Sequence, residues 1–342
     1  MNVPLLPPVA DTQFVESTGV WIVKSLVIFA VVFAVVPVLT LIERKLIGRF
    51  QNRYGPNRAG PFGVLQPLAD VLKLISKEQS HPRTAAPLLM ALAPAIIILT
   101  AVASLAIIPF GDVKHGLGAK YGLYGIDVNI GVLYAFAFGS LAFYGVMLGG
   151  WASGSKYSFL GAMRSAAQLI SYEVSLALAL IGVVMMAGSL SLVDIVHAQG
   201  KLWYAIPQLV GLGIFMATGL AELNRAPFDL PEADAELVAG YNTEFGGMRF
   251  GSYLLAEYLN MVVIAGIVAA LFLGGWMGPG PGFLDPLWMG LKMFAVIFLF
   301  IWVRATLPRL RYDQLMSFGW KVLLPLATLN LMVTAVLVVV TT

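Results

Sequence analysis

Eight stretches, at roughly 20–42, 84–109, 130–150, 165–188, 204–221, 253–275, 287–304 and 320–340, are almost free of charge and rich in Leu, Ile, Val, Ala and Phe. That feature confines the fold to one class. A hydrocarbon core about 30 Å thick takes about 20 apolar residues per helical crossing. Soluble domains carry roughly 25% charged residues, whereas this chain has 11% charged and 59% apolar residues and a mean hydropathy of +0.86. The expectation is an all-α integral membrane protein of about eight transmembrane helices, a single polytopic domain over 1–342. No internal repeat or low-complexity tail divides it. Residues 1–18 lack the basic start and small-residue cleavage site of a signal peptide. Pro37, Pro94 and Pro207 fall inside the runs and are expected to be tolerated where neighbouring helices satisfy the freed carbonyls. The run at 204–221 is the shortest and the richest in glycine.

The connections give an orientation. Arg44, Lys45, Arg49, Arg53, Arg58, Lys73, Lys77 and Arg83 follow the first run, and Lys156, Arg164, Arg225, Arg249, Arg304, Arg309, Arg311 and Lys321 occupy the alternate connections after it. The opposite side has only Lys24, Lys114, Lys120, Lys201 and Lys292. The positive-inside rule places the first set in the cytoplasm and both termini outside. Between the first two runs, Val64, Leu65, Leu68, Val71, Leu72 and Ile75 recur at helical spacing, with Gln66, Asp70, Lys73 and Lys77 mostly opposite and Pro61 suited to a helix start. This predicts an amphipathic helix over about 61–78 lying on the cytoplasmic membrane surface.

Several chemistries are excluded. With no cysteine in the chain, disulfides, thiolate nucleophiles and cysteine-held Fe–S or zinc sites are ruled out. The histidines, His81, His115 and His197, lie at or between the apolar runs, so no axial pair for a haem stands inside the spans. The stretch GGWASGSK at 149–156 departs from a phosphate-binding loop in its Ser155-Lys156 order and follows no strand. No nucleotide or nucleic-acid partner is expected.

The acidic residues are concentrated. Glu222, Asp229, Glu232, Asp234, Glu236, Glu244 and Glu257 stand within 36 residues, most of them in one connection at about 222–252. On a helix, Asp229, Glu232 and Glu236 would share a face. If buried there, they would raise one another's proton affinity, as a proton relay requires. Pro231 also suits a helix start that simply favours acids in its first turn, so a solvated helix start stays open beside the relay. Glu173, deep in the fourth run, and Glu257, near the start of the sixth, are different. Carboxylates at membrane depth are costly and mark ion or proton paths. Glu43-Arg44 closes the first run and could line the mouth of a polar cavity, whereas Lys45 and Arg49 read as topology anchors.

Four segments carry a resemblance: LIERKLIGRFQNRYGPNRAGPFGVLQPLADVLKLISKE (41–78), RSAAQLISYEVSLAL (164–178), AELNRAPFDLPEADAELVAGYNTEFGGMRF (221–250) and VRATLPRLRYDQLM (303–316). In order and length they resemble the family of H-type subunits of NADH–quinone oxidoreductase, the heel of the membrane arm of respiratory complex I. The resemblance implies a membrane subunit whose partners are the other membrane-arm and peripheral-arm subunits; a bacterial plasma membrane is the expected location, with an organelle-encoded origin open beside it. It implies quinone as the substrate, bound at the interface with those partners. NADH, FMN and Fe–S clusters then belong to partner subunits, and this chain is not catalytic alone. By motif, Glu43, Arg44, Arg53, Phe250, Arg304 and Arg309 border the quinone tunnel. Glu173, Glu222, Asp229, Glu232, Asp234, Glu236, Glu244 and Glu257 match a carboxylate chain that couples quinone reduction to proton translocation. Asp234 stands where the family commonly has glutamate, and the stretch QSHPRTAAP after Glu78 is atypical of it. A proton-pumping membrane-bound hydrogenase uses a related heel subunit and is the alternative. A stand-alone transporter would more often show inverted repeats.

Overall fold

A computed structural model of the chain describes residues 18–79, 82–111, 122–231 and 238–341. Among these residues every regular element is helical. In chain order they are α1 (Thr18–Phe50), α2 (Gln66–Ser76), α3 (Pro87–Leu105), α4 (Gly131–Ala152), α5 (Lys156–Ala187), α6 (Leu192–Ala198), α7 (Leu209–Glu222), α8 (Gly247–Phe272) and α9 (Asp285–Thr306). Then α10 (Tyr312–Phe318) runs through a π turn, Gly319–Leu323, into α11 (Leu324–Thr341). Counting that last pair as one rod, 7 helices among the described residues are long and apolar enough to cross a bilayer, and α7 is a shorter apolar helix beside them, which agrees with the expected all-α membrane fold of about eight helices. Lipid offers the backbone no hydrogen bonds, so each apolar run satisfies its own N–H and C=O groups as a helix.

The bundle is organised on α8, against which α1, α2, α3, α6, α7 and α9 pack. Ala256, Leu259, Met261, Ala265, Val268, Ala269 and Leu271 of α8 have no exposed area. By contrast α1 buries one stripe, Val32, Val36 and Leu39, and exposes Val23, Leu26 and Val27. A helix apolar all round sits in the middle, and those with lipid-facing sides surround it. The ends of the rods sort into two groups. The Ala86 N–H donates to the Ala152 carbonyl, Leu310 N–H to Pro227 and Lys45 Nζ to Phe62, which gathers the connections rich in Arg and Lys at one end. Trp21 with Gly125, and Val132 with Leu190, tie the other end.

Several boundaries differ from the sequence reading. α1 continues to Phe50, so Glu43 and Arg44 lie within a helix rather than at its end. Glu257 stands in the third turn of α8, because that helix starts at Gly247. The amphipathic helix begins at Gln66, not Pro61, and Pro61–Gly63 forms an isolated 3₁₀ turn. Phe62 there takes φ 53°, the left-handed region that interrupts a helix. The short helix α6 has no counterpart in the sequence reading; Ser191 caps it by accepting from the Asp194 N–H.

The largest difference is α7. Pro207 does not ride inside a span; the helix starts after it, at Leu209, because proline would clash with the preceding turn. Fourteen residues give about 21 Å at 1.5 Å per residue, short of a full crossing. Side chains satisfy the irregular backbone ahead of it. Gln199 Nε2 donates to the Ala270 carbonyl at 2.8 Å, and its Oε1 accepts from the N–H groups of Gly274 at 3.0 Å and Tyr204 at 3.2 Å. Gln208 Nε2 donates to Thr334 Oγ1 at 2.6 Å and its Oε1 accepts from Asn330 at 2.8 Å.

Candidate functional site

A short α7 ends inside the bundle rather than at its edge, and this builds the site. Its last residue, Glu222, reaches the middle of α4: a β-carbon on Gly139 would lie 2.9 Å from Glu222 Oε1. The chain beyond, Leu223–Leu230, then runs through protein. Gln168 of α5 supports it by donating to the carbonyls of Ala221 at 2.7 Å and Phe228 at 2.8 Å.

The first feature this makes is a buried ion cluster. Arg225, 4% exposed, donates from Nη1 to Glu43 Oε2 at 2.8 Å and from Nε to Glu257 Oε1 at 2.5 Å. Its guanidinium lies 4.5 Å from the centre of the Tyr258 ring, within cation–π range. Arg304, at the end of α9, donates to the other oxygen of Glu43, which is itself 2% exposed. Four elements, α1, α8, α9 and the α7–α8 connection, therefore meet on these charges. Burial alone would lower the pKa of Arg225, but Glu257 and Glu43 outweigh it and hold the guanidinium charged. Planar geometry lets one arginine serve both carboxylates.

The second feature is a cavity of about 320 Å³ between α3, α4, α5, α7 and α8, with Glu173, Glu222, Glu257, Ser140, Asn224 and Asn260 on its wall. Glu173 and Ser140 lie near the midpoints of α5 and α4, and Ser140 Oγ donates to Glu173 Oε1. Among the described residues neither Glu173 nor Glu222 has an ion pair, and the two carboxylates act on each other as like charges. Glu257 belongs to both features, bonded to Arg225 and facing the cavity.

Of the residues expected to border a tunnel, Glu43 and Arg304 join the ion cluster. Arg44 donates to Asp70 Oδ2 at 2.6 Å and so ties α1 to α2. Arg53 is exposed and bonds Gln51, and Arg309 is exposed between α9 and α10. Phe250 is half-buried in the first turn of α8 and packs with the cluster of Phe245, Tyr253 and Ala256. Of the acids, Glu173, Glu222 and Glu257 come together. Asp229 and Glu244 are half-buried in the α7–α8 connection. Glu232, Asp234 and Glu236 lie outside the described residues. The sequence reading gives Arg225 only as a loop charge, and it passes over Gly139, Ser140 and Tyr258. A basic residue three positions after a membrane-depth glutamate is the available signal for Arg225.

A polytopic α-helical membrane protein with a buried Arg–Glu cluster opening onto a carboxylate-lined cavity is thus the class defined. A model of the NADH dehydrogenase family matches residues 23–335, and the chain belongs to that family. It is 54% identical to an H-type subunit of the NADH-quinone oxidoreductase of Syntrophobacter fumaroxidans, over 92% of this chain and 95% of the relative. It is 51% identical to an H-type subunit from Geobacter sulfurreducens over 91% and 94%, and 48% identical to the one from Paramagnetospirillum magneticum over 97% and 94%.

Proposed function

We propose that the chain is a membrane subunit of a proton-pumping NADH–quinone oxidoreductase, standing where the quinone tunnel meets the proton path. Glu43, Arg44, Arg53, Phe250, Arg304 and Arg309 border the tunnel. Glu257, Glu222 and Glu173, with Asp229, Glu232, Asp234, Glu236 and Glu244, carry the coupling. The observation that supports this reading most is that Glu257 is both an ion-pair partner of Arg225 and a wall of the cavity. The names of the relatives support quinone as substrate. The resemblance to the family implies that FMN, the Fe–S clusters and the NADH site reside in partner subunits, and the absence of cysteine in this chain agrees with this for the clusters.

The coupling follows from electrostatics. Quinone reduction takes two electrons and two protons; when the electrons arrive ahead of the protons, the charge near the Glu43–Arg304 end changes transiently during turnover. At an effective dielectric of about 20, unit charges 4 Å apart interact by roughly 4 kcal/mol. A charge change at Glu43 therefore alters how Arg225 divides its hydrogen bonds between Glu43 and Glu257. Glu257, Glu222 and Glu173 line the same cavity and would pass the proton onward. In this reading the basic end is cytoplasmic, both termini lie outside, and the membrane is a bacterial plasma membrane.

The test is Glu257→Gln in membranes carrying the assembled complex. Quinone reductase activity linked to proton pumping should fall at least tenfold while NADH oxidation by an artificial acceptor persists. Unchanged quinone reduction and pumping in an assembled complex would refute the coupling. Glu232→Gln and Glu236→Gln extend the same assay to the rest of the acidic connection.

A further inference from the structure

We propose that Gly139 and Ser140, adjacent on α4, are positioning residues for the two cavity carboxylates: Ser140 serves Glu173 in both of its protonation states, and Gly139 leaves the space that Glu222 occupies. The inference deepens the relay reading above and rests on it.

Ser140 carries the first half. Its Oγ has two oxygen neighbours, Glu173 Oε1 and the Phe136 carbonyl, the latter at 2.9 Å. A hydroxyl has one proton to donate and can accept besides. With Glu173 ionised, Ser140 donates to the carboxylate. With Glu173 protonated, the acid donates to Ser140 Oγ, and the hydroxyl turns to donate to the Phe136 carbonyl. Only hydrogens rotate; no heavy atom moves, and the Ser140–Glu173 contact stays hydrogen-bonded in both states. A group that must load and unload a proton at membrane depth needs that property, because an unsatisfied buried polar atom costs about 1–3 kcal/mol. An alanine would serve neither state.

Gly139 carries the second half. Apart from its chain neighbours and the backbone of α4 itself, the only described atom within 4 Å of a β-carbon placed there is Glu222 Oε1, at 2.9 Å. That atom is the far end of a flexible side chain, so an alanine leaves the helices where they are and displaces the carboxylate alone. Alanine also favours a helix over glycine by about 1 kcal/mol. The substitution is therefore gentle on the fold and specific to Glu222. The other titratable residues lining the cavity are Glu257, Tyr144, Tyr172, Tyr241 and Tyr253; the Tyr172 and Tyr253 hydroxyls donate to the carbonyls of Leu315 and Gly145. Arg225 reaches it through Glu257.

The experiment measures the pH profile of quinone reduction and proton pumping in membranes containing the assembled complex. Ser140→Ala and Gly139→Ala should each lower pumping-linked turnover about threefold to tenfold, the scale of coupling between side chains in contact, and displace the pH profile. Ser140→Thr keeps the hydroxyl and should restore the parental profile. In a Glu222→Asp background, where the carboxylate is one methylene shorter, Gly139→Ala should add little, whereas independent effects would multiply. Parental rates and profiles in both alanine variants, or a multiplicative effect in Glu222→Asp, overturn the positioning role. Failure of Gly139→Ala to assemble overturns its half, since the β-carbon would then strike more than a mobile carboxylate; Ser140 retains its own readout. Glu173→Gln and Glu222→Gln run alongside. If they too leave pumping unchanged, the relay reading itself fails; if they abolish it while the α4 variants do nothing, only the positioning does.

Discussion

The ion cluster and the cavity lie side by side and share Glu257, yet they are built on opposite rules. Around Arg225 both carboxylates have a cationic partner at hydrogen-bonding distance, and the guanidinium itself is shut away from solvent. Around Glu173 and Glu222 there is open volume, one serine hydroxyl, and no ion pair among the described residues. A satisfied cluster fixes geometry, because moving one member strands another. Carboxylates beside open space, without a cation, are free to change protonation. On the function proposed above, the first region is the structure that transmits and the second is where protons would reside.

The sharpest way to break this contrast is Arg225→Gln. It leaves Glu43 and Glu257 with one cation, Arg304, between them, and removing one member of a buried ionic group costs about 3–5 kcal/mol. We expect the complex to assemble poorly, with a thermal midpoint lowered by several degrees on native gels after heating. A variant as stable as the parent would mean that the cluster holds nothing together.

Next in size is Arg225→Lys. The charge stays, but a lysine point charge cannot reach Glu43 and Glu257 with a planar fork. One carboxylate is left short of a charge-assisted hydrogen bond, a loss of about 1.5–3 kcal/mol. Assembly should survive with a reduced midpoint, and quinone-linked activity should drop more than stability does. Equal falls in both would indicate a purely architectural arginine.

How far the sequence reaches differs between the regions for the same reason. The spans are legible because hydrophobic length is a local property. Glu173 and Glu257 stand out because carboxylates inside such runs are rare. The cluster is not legible, since Glu43 and Arg225 are 182 positions apart and no local pattern marks their contact. The end of α7 inside the bundle is hidden too. Pro207 could be absorbed or could start a helix, and only the side chains of Gln199 and Gln208, meeting distant partners, decide which. Gly139 is invisible because its role is the absence of atoms.

In the cavity the expected sign reverses. Glu222→Gln replaces a half-buried carboxylate that has no ion pair among the described residues by a neutral amide of the same shape. The folded state should lose nothing and gain on the order of 1 kcal/mol, since a charge buried without a partner is unfavourable, while proton pumping collapses. Stability and function thus move oppositely here and together at Arg225. A marked loss of stability in Glu222→Gln would show that the carboxylate has a structural partner and would erase the distinction.

The smallest effect calibrates the others. Arg44 and Asp70 make a 2.6 Å pair between α1 and α2, with side chains 47% and 27% exposed. Water and salt screen such a pair, and exposed ion pairs are worth about 0–1 kcal/mol. Arg44→Gln should therefore shift the thermal midpoint barely, and raising the salt concentration in the parent should mimic it. The proposed function puts the same residue at the tunnel border, so on that reading its substitution should act instead on the quinone concentration needed for half-maximal rate. If Arg44→Gln destabilised the complex as much as Arg225→Gln, burial would not be what separates strong charges from weak ones here. A change in quinone dependence with an unmoved midpoint puts Arg44 on the substrate side, outside both the cluster and the cavity.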